Sequence, residues 1–260
     1  MLSLKGHTAL VTGGTLGVGR AMAEALARAG ANIVLHGLHA DATAEAAVAS
    51  IRKLGVDCQL VTADLSGPTE AAVESLVSAA MQHRDDIDIL ISNAGTYREG
   101  PFLEMDFETF DRTMKLNVYS HFFLVQWFAR DWVRRGIPGR VLLTGSINGR
   151  LAEQTHAAYD TSKGAVEMMV KTLCVTLAPH GIRVNGMAPG LVRTPLTAPA
   201  LDQPGVQSWM ELHTPNRQVP GPDVCGSAAV FLVSDEAWHI QGQMLLVDGG
   251  MSAWQQPDAP

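Results

Sequence analysis

The stretch Gly13-Gly14-Thr15-Leu16-Gly17-Val18-Gly19 constrains this chain most, because of what stands on either side of it. Before it, His7-Thr8-Ala9-Leu10-Val11-Thr12 is a short apolar run bounded by glycine, the pattern of a buried strand. After it, residues 20–29 are mostly Ala, Leu, Met, Glu and Arg, all strong helix formers, and Gly30 is placed to end a helix. Strand, glycine loop and helix in that order aim helix N–H groups at a phosphate. The glycines let the backbone approach closely and let the helix pack on the strand. The spacing is G-x-x-x-G-x-G, not the G-x-G-x-x-G of longer-chain dehydrogenases. Read alone, the loop could equally be a glycine-rich turn with no ligand.

The rest of the chain repeats the alternation. Strands are expected at 32–36, 57–62, 87–91, 139–146, 183–187 and 243–247, and helices at 41–54, 69–83, 106–134, 159–178 and 222–234. Strand alternating with helix means a parallel sheet covered on both faces, with ligands at the carboxyl ends of the strands. The expected architecture is α/β, one doubly wound domain over residues 1–260 with a seven-stranded parallel sheet. Residues 191–220 hold five prolines and little periodicity, which suggests a substrate loop or lid. The tail to Pro260 is expected to be loose.

Bulk properties exclude some functions. The net charge of −7 and the lack of any basic run argue against a nucleic-acid surface. No apolar run reaches membrane-spanning length, and the N-terminus has no apolar signal core, so a soluble, cytoplasmic protein is expected. Cys58, Cys174 and Cys225 are widely separated and read as reduced, buried or half-buried thiols; no metal site is expected.

Chemistry gathers at the strand ends. Tyr159 and Lys163 are four residues apart, so a helix brings phenol and ammonium to one face. A nearby cation favours the phenolate, which would tune Tyr159 toward proton exchange with an alcohol. Ser146 ends a strand thirteen residues earlier. Asn117 sits among apolar residues of a long helical pattern and must bond backbone or anchor water. Ser92-Asn93-Ala94-Gly95 ends another strand with small residues suited to a flat cofactor. Asp64 ends a third, either as a partner for an adenine amino group or as a turn residue. Where the second strand ends, Gly37 and Leu38 offer neither an acid for a ribose hydroxyl nor a base for a 2′-phosphate. That favours NAD over NADP. His36 there is read as solvated.

These motifs, with Pro189-Gly190 and Asp248-Gly249-Gly250, resemble in order the short-chain dehydrogenase/reductase family, a Rossmann-fold family, over essentially the whole chain. Ser92 stands where the family usually has Asn. The resemblance implies Tyr159 as acid/base, Lys163 as its partner and ribose holder, Ser146 on the substrate oxygen, and Asn117 holding a water that links Lys163 to solvent. It implies that Gly13, Thr15, Leu16, Gly17, Val18 and Gly19 cradle the pyrophosphate. Gly37 would lie by the ribose, Asp64 and Leu65 by the adenine, and Asn93, Ala94 and Gly95 along the cofactor. Pro189, Gly190, Val192 and Thr194 would complete its carboxamide end.

The implied reaction interconverts a secondary alcohol and a ketone by hydride transfer with NAD. Within the family the second-strand region looks like 3-hydroxybutyrate dehydrogenases, but Tyr97 and His156 stand where those carry a Gln and a Lys for the carboxylate. Asn148, Gln154 and His156 suit a hydroxyl-rich substrate, so a polyol, sugar or small hydroxy compound is expected, with Ser146 and Tyr159 at its oxygen. An NADPH-dependent 3-oxoacyl or ketone reductase is the alternative, and a non-catalytic dinucleotide-binding regulator is a reading of another class. A homotetramer is expected by the same resemblance.

Overall fold

The computed structural model describes residues 2–254. Seven strands form one parallel sheet: β1 (Thr8–Val11), β2 (Asn32–Gly37), β3 (Cys58–Thr62), β4 (Ile89–Ser92), β5 (Arg140–Thr144), β6 (Arg183–Pro189) and β7 (Met244–Val247), in the order β3-β2-β1-β4-β5-β6-β7. The helices are α1 (Gly17–Arg28), α2 (Ala42–Arg52), α3 (Thr69–His83), α4 (Phe107–Met114), α5 (Ser120–Arg135), α6 (Ala157–Leu177), α7 (Ala198–Leu201), α8 (Val206–Leu212) and α9 (Val224–Val233). The expected fold class is the one observed. The expectation of a loose tail falls mainly on residues 255–260, which lie outside the described residues.

Side chains alternate along each strand, so each feeds two cores. Leu10, Val34, Leu90 and Val141 pack with α3, α5 and α6, through residues such as Leu76, Phe128 and Val170. Ala9, Val11, Ile33, Ile89 and Leu142 pack on the other face with α1 and α9, through Met22, Leu26 and Ala229. Both faces are therefore apolar, which is why the strands read as runs of Val, Ile and Leu.

The strand order reverses between β1 and β4. Such a switch opens a crevice beyond the carboxyl ends of the two strands. Val11 pairs with Ile91 at that edge, and the Thr12 N–H donates to the Ile91 carbonyl at 3.0 Å.

One expectation needs correction. The helix at 106–134 is three pieces: α4, a π-helical turn at Lys115–Tyr119, and α5. The Ser120 N–H reaches back to the Lys115 carbonyl, and the Ser120 hydroxyl donates to the Leu116 carbonyl at 2.6 Å. Residues 191–220, expected as a substrate loop or lid, carry α7 and α8, tethered by Arg193, which bonds Asp202 and Gln207 at 2.7 Å each. Helices this short have no periodicity to read.

Candidate active site

A cleft of about 400 Å³ lies along the crevice. The glycine loop forms its floor. A Cβ on Gly13 would come within 2.9 Å of the Ala94 Cα, and one on Gly19 within 2.2 Å of the Gly13 carbonyl oxygen. Gly17 has φ +58°, which side chains rarely adopt. The loop is closed down on itself, and only glycine fits.

Three side chains hold the loop in place. The Thr12 hydroxyl accepts the N–H groups of Asn93 (2.8 Å) and Ala94 (3.0 Å). The Asn93 amide donates to the Thr12 and Gly13 carbonyls at 3.1 and 3.3 Å. His36 Nδ1 accepts the Gly13 N–H at 3.1 Å, and its Nε2 donates to the Ala63 carbonyl at 3.1 Å. His36 is buried, not solvated, and burial lowers its pKa, so it is neutral with a fixed tautomer. The sequence missed it because an apolar strand carries it inward.

Every residue expected at the cofactor lines this cleft. Thr15, Leu16, Val18 and Gly37 stand at one end with Asp64 and Leu65. Asp64 Oδ1 accepts from the Ser66 N–H (2.9 Å) and hydroxyl (2.6 Å), which holds its carboxyl below the usual range; it is thus a turn residue as well as a wall. Gly95, Pro189 and Gly190 line the middle. Gly190 is backed by Asp248, whose Cβ would meet an added Cβ at 2.8 Å. Asp248 is held in turn by the N–H groups of Gly250 (3.0 Å) and Ser252 (2.9 Å). At the far end the Thr197 hydroxyl accepts from the Thr194 N–H at 2.9 Å and donates to the Val192 carbonyl at 2.6 Å. This knot sits over Gly17. Arg112, Thr144 and Leu196 also line the cleft and had no sequence signal.

Ser146, Tyr159 and Lys163 converge on the same wall. Ser146 caps a turn after β5, its Oγ accepting the Asn148 N–H at 3.1 Å. Lys163 is 4% exposed and donates to the Thr144 carbonyl at 2.9 Å. Its ammonium lies 5.6 Å from the Tyr159 ring centroid. Here the expected tuning is corrected. Burial raises the Tyr159 pKa, opposed only by the Ser146 hydroxyl, and burial pulls Lys163 down to about 8. Desolvation outweighs pairing because the ammonium is aimed at a carbonyl, not at the phenol.

Asn117 is fully buried on the π turn. Its Oδ1 accepts the Thr96 N–H (2.8 Å), and its Nδ2 donates to the Thr96 carbonyl (2.9 Å) and the Ser162 hydroxyl (3.0 Å). Both amide hydrogens are taken up by protein, so the side chain ties the segment after β4 to α6. Asn148 likewise is scaffold: its amide donates to Glu153 (3.1 Å) and Asp160 (2.8 Å). Gln154 is exposed and, like Asn148, lies off the cleft wall. His156 is buried behind Tyr97.

A nicotinamide dinucleotide fits what is present. The glycines let the loop pack close to give a floor that suits a pyrophosphate, since a Cβ on Gly13 or Gly19 would strike main chain, and the buried Thr144 hydroxyl on the wall has no partner. A dinucleotide cleft with a tyrosine, serine and lysine at one end defines a pyridine-nucleotide dehydrogenase. A family model described as Enoyl-(Acyl carrier protein) reductase matches residues 13–252, and the chain belongs to the short-chain dehydrogenase/reductase family. It is an NAD(P)-dependent oxidoreductase acting on CH–OH groups.

Relatives match along nearly their whole length. L-rhamnose 1-dehydrogenase (NAD(P)(+)) of a Sphingomonas species is 34% identical, over 96% of this chain and 98% of that one. 5-keto-D-gluconate 5-reductase of Escherichia coli is 33% identical, over 96% and 97%. Among solved structures, a gluconate 5-dehydrogenase from Burkholderia cenocepacia, in complex with NADP and tartrate, superposes with a TM-score of 0.90 at 32% identity, over 97% and 98%.

Proposed function

We propose that the chain interconverts a secondary alcohol and a ketone on a sugar, polyol or small hydroxy compound. The observation that carries this reading is the convergence of Ser146, Tyr159 and Lys163 on one end of the dinucleotide cleft. The names of the sugar and gluconate relatives support it. The bound cofactor supplies the hydride acceptor or donor; the chain supplies position and a proton path. Tyr159 exchanges the proton with the substrate oxygen, worth roughly 10²–10⁴-fold. Ser146 donates to that oxygen as charge develops. Lys163 holds the ribose hydroxyls. Asn117 keeps the wall of the site in register with α6. Residues 191–220, with α7 and α8, act as the lid of the single domain.

NAD is favoured over NADP, since His36 is tied up and Gly37 and Leu38 offer a phosphate no charge. The relative with bound NADP speaks against a strict preference. The protein assembles as a homotetramer in the cytoplasm. Two apolar areas support the assembly: the groove between α5 and α6 beside half-exposed Phe122 and Val133, and the β7 edge with exposed Trp238 and Leu245.

The test is Tyr159→Phe, assayed by absorbance with NAD⁺ and NADP⁺ separately on a panel of polyols and sugars. The variant is expected to bind cofactor and lose turnover. Full activity in it would sink the assignment, a marked preference for NADP⁺ would reverse the cofactor choice, and light scattering reads the assembly.

A further inference from the structure

Beside Tyr159, next to the cleft, stands a cluster of side chains that the proton transfer does not use. Tyr97 packs edge-on against Tyr159, ring centroids 5.4 Å apart, and its hydroxyl meets His156 Nε2 at 2.6 Å. Carboxylates flank this pair on both sides. Glu99 Oε2 lies 3.2 Å from the Tyr97 hydroxyl and 3.7 Å from His156 Nε2. Glu153 Oε1 lies 3.2 Å from His156 Nδ1. His156 is 6% exposed, yet its Nδ1 has no hydrogen-bond partner, because the approach of Glu153 lacks hydrogen-bond geometry. A buried ring nitrogen is thus left unpaired beside the reacting phenol, among oxygens that accept hydrogen bonds.

We propose that Glu99 and Glu153 make this an uncharged-substrate site, admitting neutral polyols and aldoses beside Tyr159 and turning away aldonates and other hydroxy acids. This deepens the sugar and polyol reading above and rests on it. An incoming carboxylate would meet two like charges, while the nearby cations other than exposed Arg98 are already engaged. Arg150 is paired with Glu167 at 2.9 Å, and Arg193 with Asp202 at 2.7 Å. Lys163 is turned to the Thr144 carbonyl. Arg98 is exposed, next to Glu99 in the chain, and bonds none of these groups among the described residues. Negative charge already weighs on the local phenols: burial and then Glu99 push Tyr97 well above the usual phenol range, and Asp160 and Glu153 add to the burial that raises Tyr159. Hydroxyl groups suit the same cluster, since they can donate to the half-exposed carboxylates of Glu99 and Glu153. Selection here comes from repulsion as much as from attraction.

The experiment compares kcat/KM for matched pairs, D-glucitol and D-glucose against D-gluconate, and L-rhamnose against L-rhamnonate. Wild-type protein is expected to favour the neutral member of each pair. Glu99 and Glu153 are 62% and 54% exposed in their side chains, so E99Q and E153Q keep the fold. Each is expected to shift the ratio toward the acid roughly threefold, and the double variant about tenfold. About 0.5 M salt should shift the wild-type ratio the same way, since exposed charges are screened. Acids turned over as well as their neutral partners would overturn the proposal while leaving the sugar reading intact. So would a ratio that neither the double variant nor salt moves. Turnover of a hydrophobic alcohol or a 3-oxoacyl thioester, with every sugar and polyol refused, would overturn the sugar reading and this proposal with it.

Discussion

His36 accepts the Gly13 N–H at 3.1 Å, so the phosphate loop hangs from the strand next to it. The other nitrogen of the same ring bonds the Ala63 carbonyl beyond β3. One imidazole therefore joins three neighbouring strand ends on the floor of the cleft.

Replacing His36 by Leu leaves a buried N–H and a carbonyl unpaired. That should cost about 1–3 kcal/mol of stability. The loop would lose its anchor while Tyr159 stays in place. The expected result is a cofactor KM raised roughly tenfold with kcat changed much less. An unchanged KM in a folded variant would show that the loop holds its shape without the histidine.

Lys163 gives a pH dependence whose sign is fixed. Its folded pKa is lowered from 10.5 to about 8 by burial. Below that value both folded and unfolded chains carry the charge, and the fold bears its full desolvation. Between about 8 and 10.5 the unfolded chain binds the extra proton, so this group's contribution to stability rises with pH. A Lys163→Met variant should therefore be ahead of wild type by most near pH 7, with the lead shrinking above pH 8. Thermal melts of the cofactor-free proteins across that range read it. Parallel curves would mean Lys163 titrates as in solvent.

His121 acts at the other end of the scale. It is fully buried, its Nδ1 lies 2.5 Å from the Ser92 hydroxyl, and burial, with the Lys163 charge adding, lowers its pKa to about 3. The unfolded chain takes up a proton near 6.5 and the folded chain does not, so stability is lost as pH falls from about 6.5 to 3. His121→Asn keeps a partner for Ser92 and removes the titration. Its stability should fall less steeply over that window in urea unfolding, and equal slopes would contradict the assignment.

The sheet was legible because both its faces are buried, so Val, Ile and Leu are concentrated in short runs such as Ile33-Val34-Leu35 and Ile89-Leu90-Ile91. The cofactor wall was legible because close approach there demands glycine, as at Gly13 and Gly19. What escaped has physical reasons. His36 belongs to a strand, and its polarity is satisfied by main chain that only folding brings near. The tuning of Tyr159 was misjudged because four-residue spacing fixes a face of a helix but not where the ammonium points, and here Thr144 claims it. Asn148 has a plausible polar side chain for substrate, yet Glu153 and Asp160 take up its amide. The π turn left no mark, since it changes the count of residues per turn and not their kind.

That turn has a consequence for the long helix it interrupts. An α-helix keeps phase, and one additional residue rotates all that follows by about 100°. Before the turn, Arg112 lines the cleft; after it, Phe128 and Trp132 pack into the core against the sheet. The helix thus changes allegiance halfway along, from ligand to scaffold. Removing a single residue between Lys115 and Tyr119 would keep the side chains of α5 in the sequence and point them at the wrong neighbours.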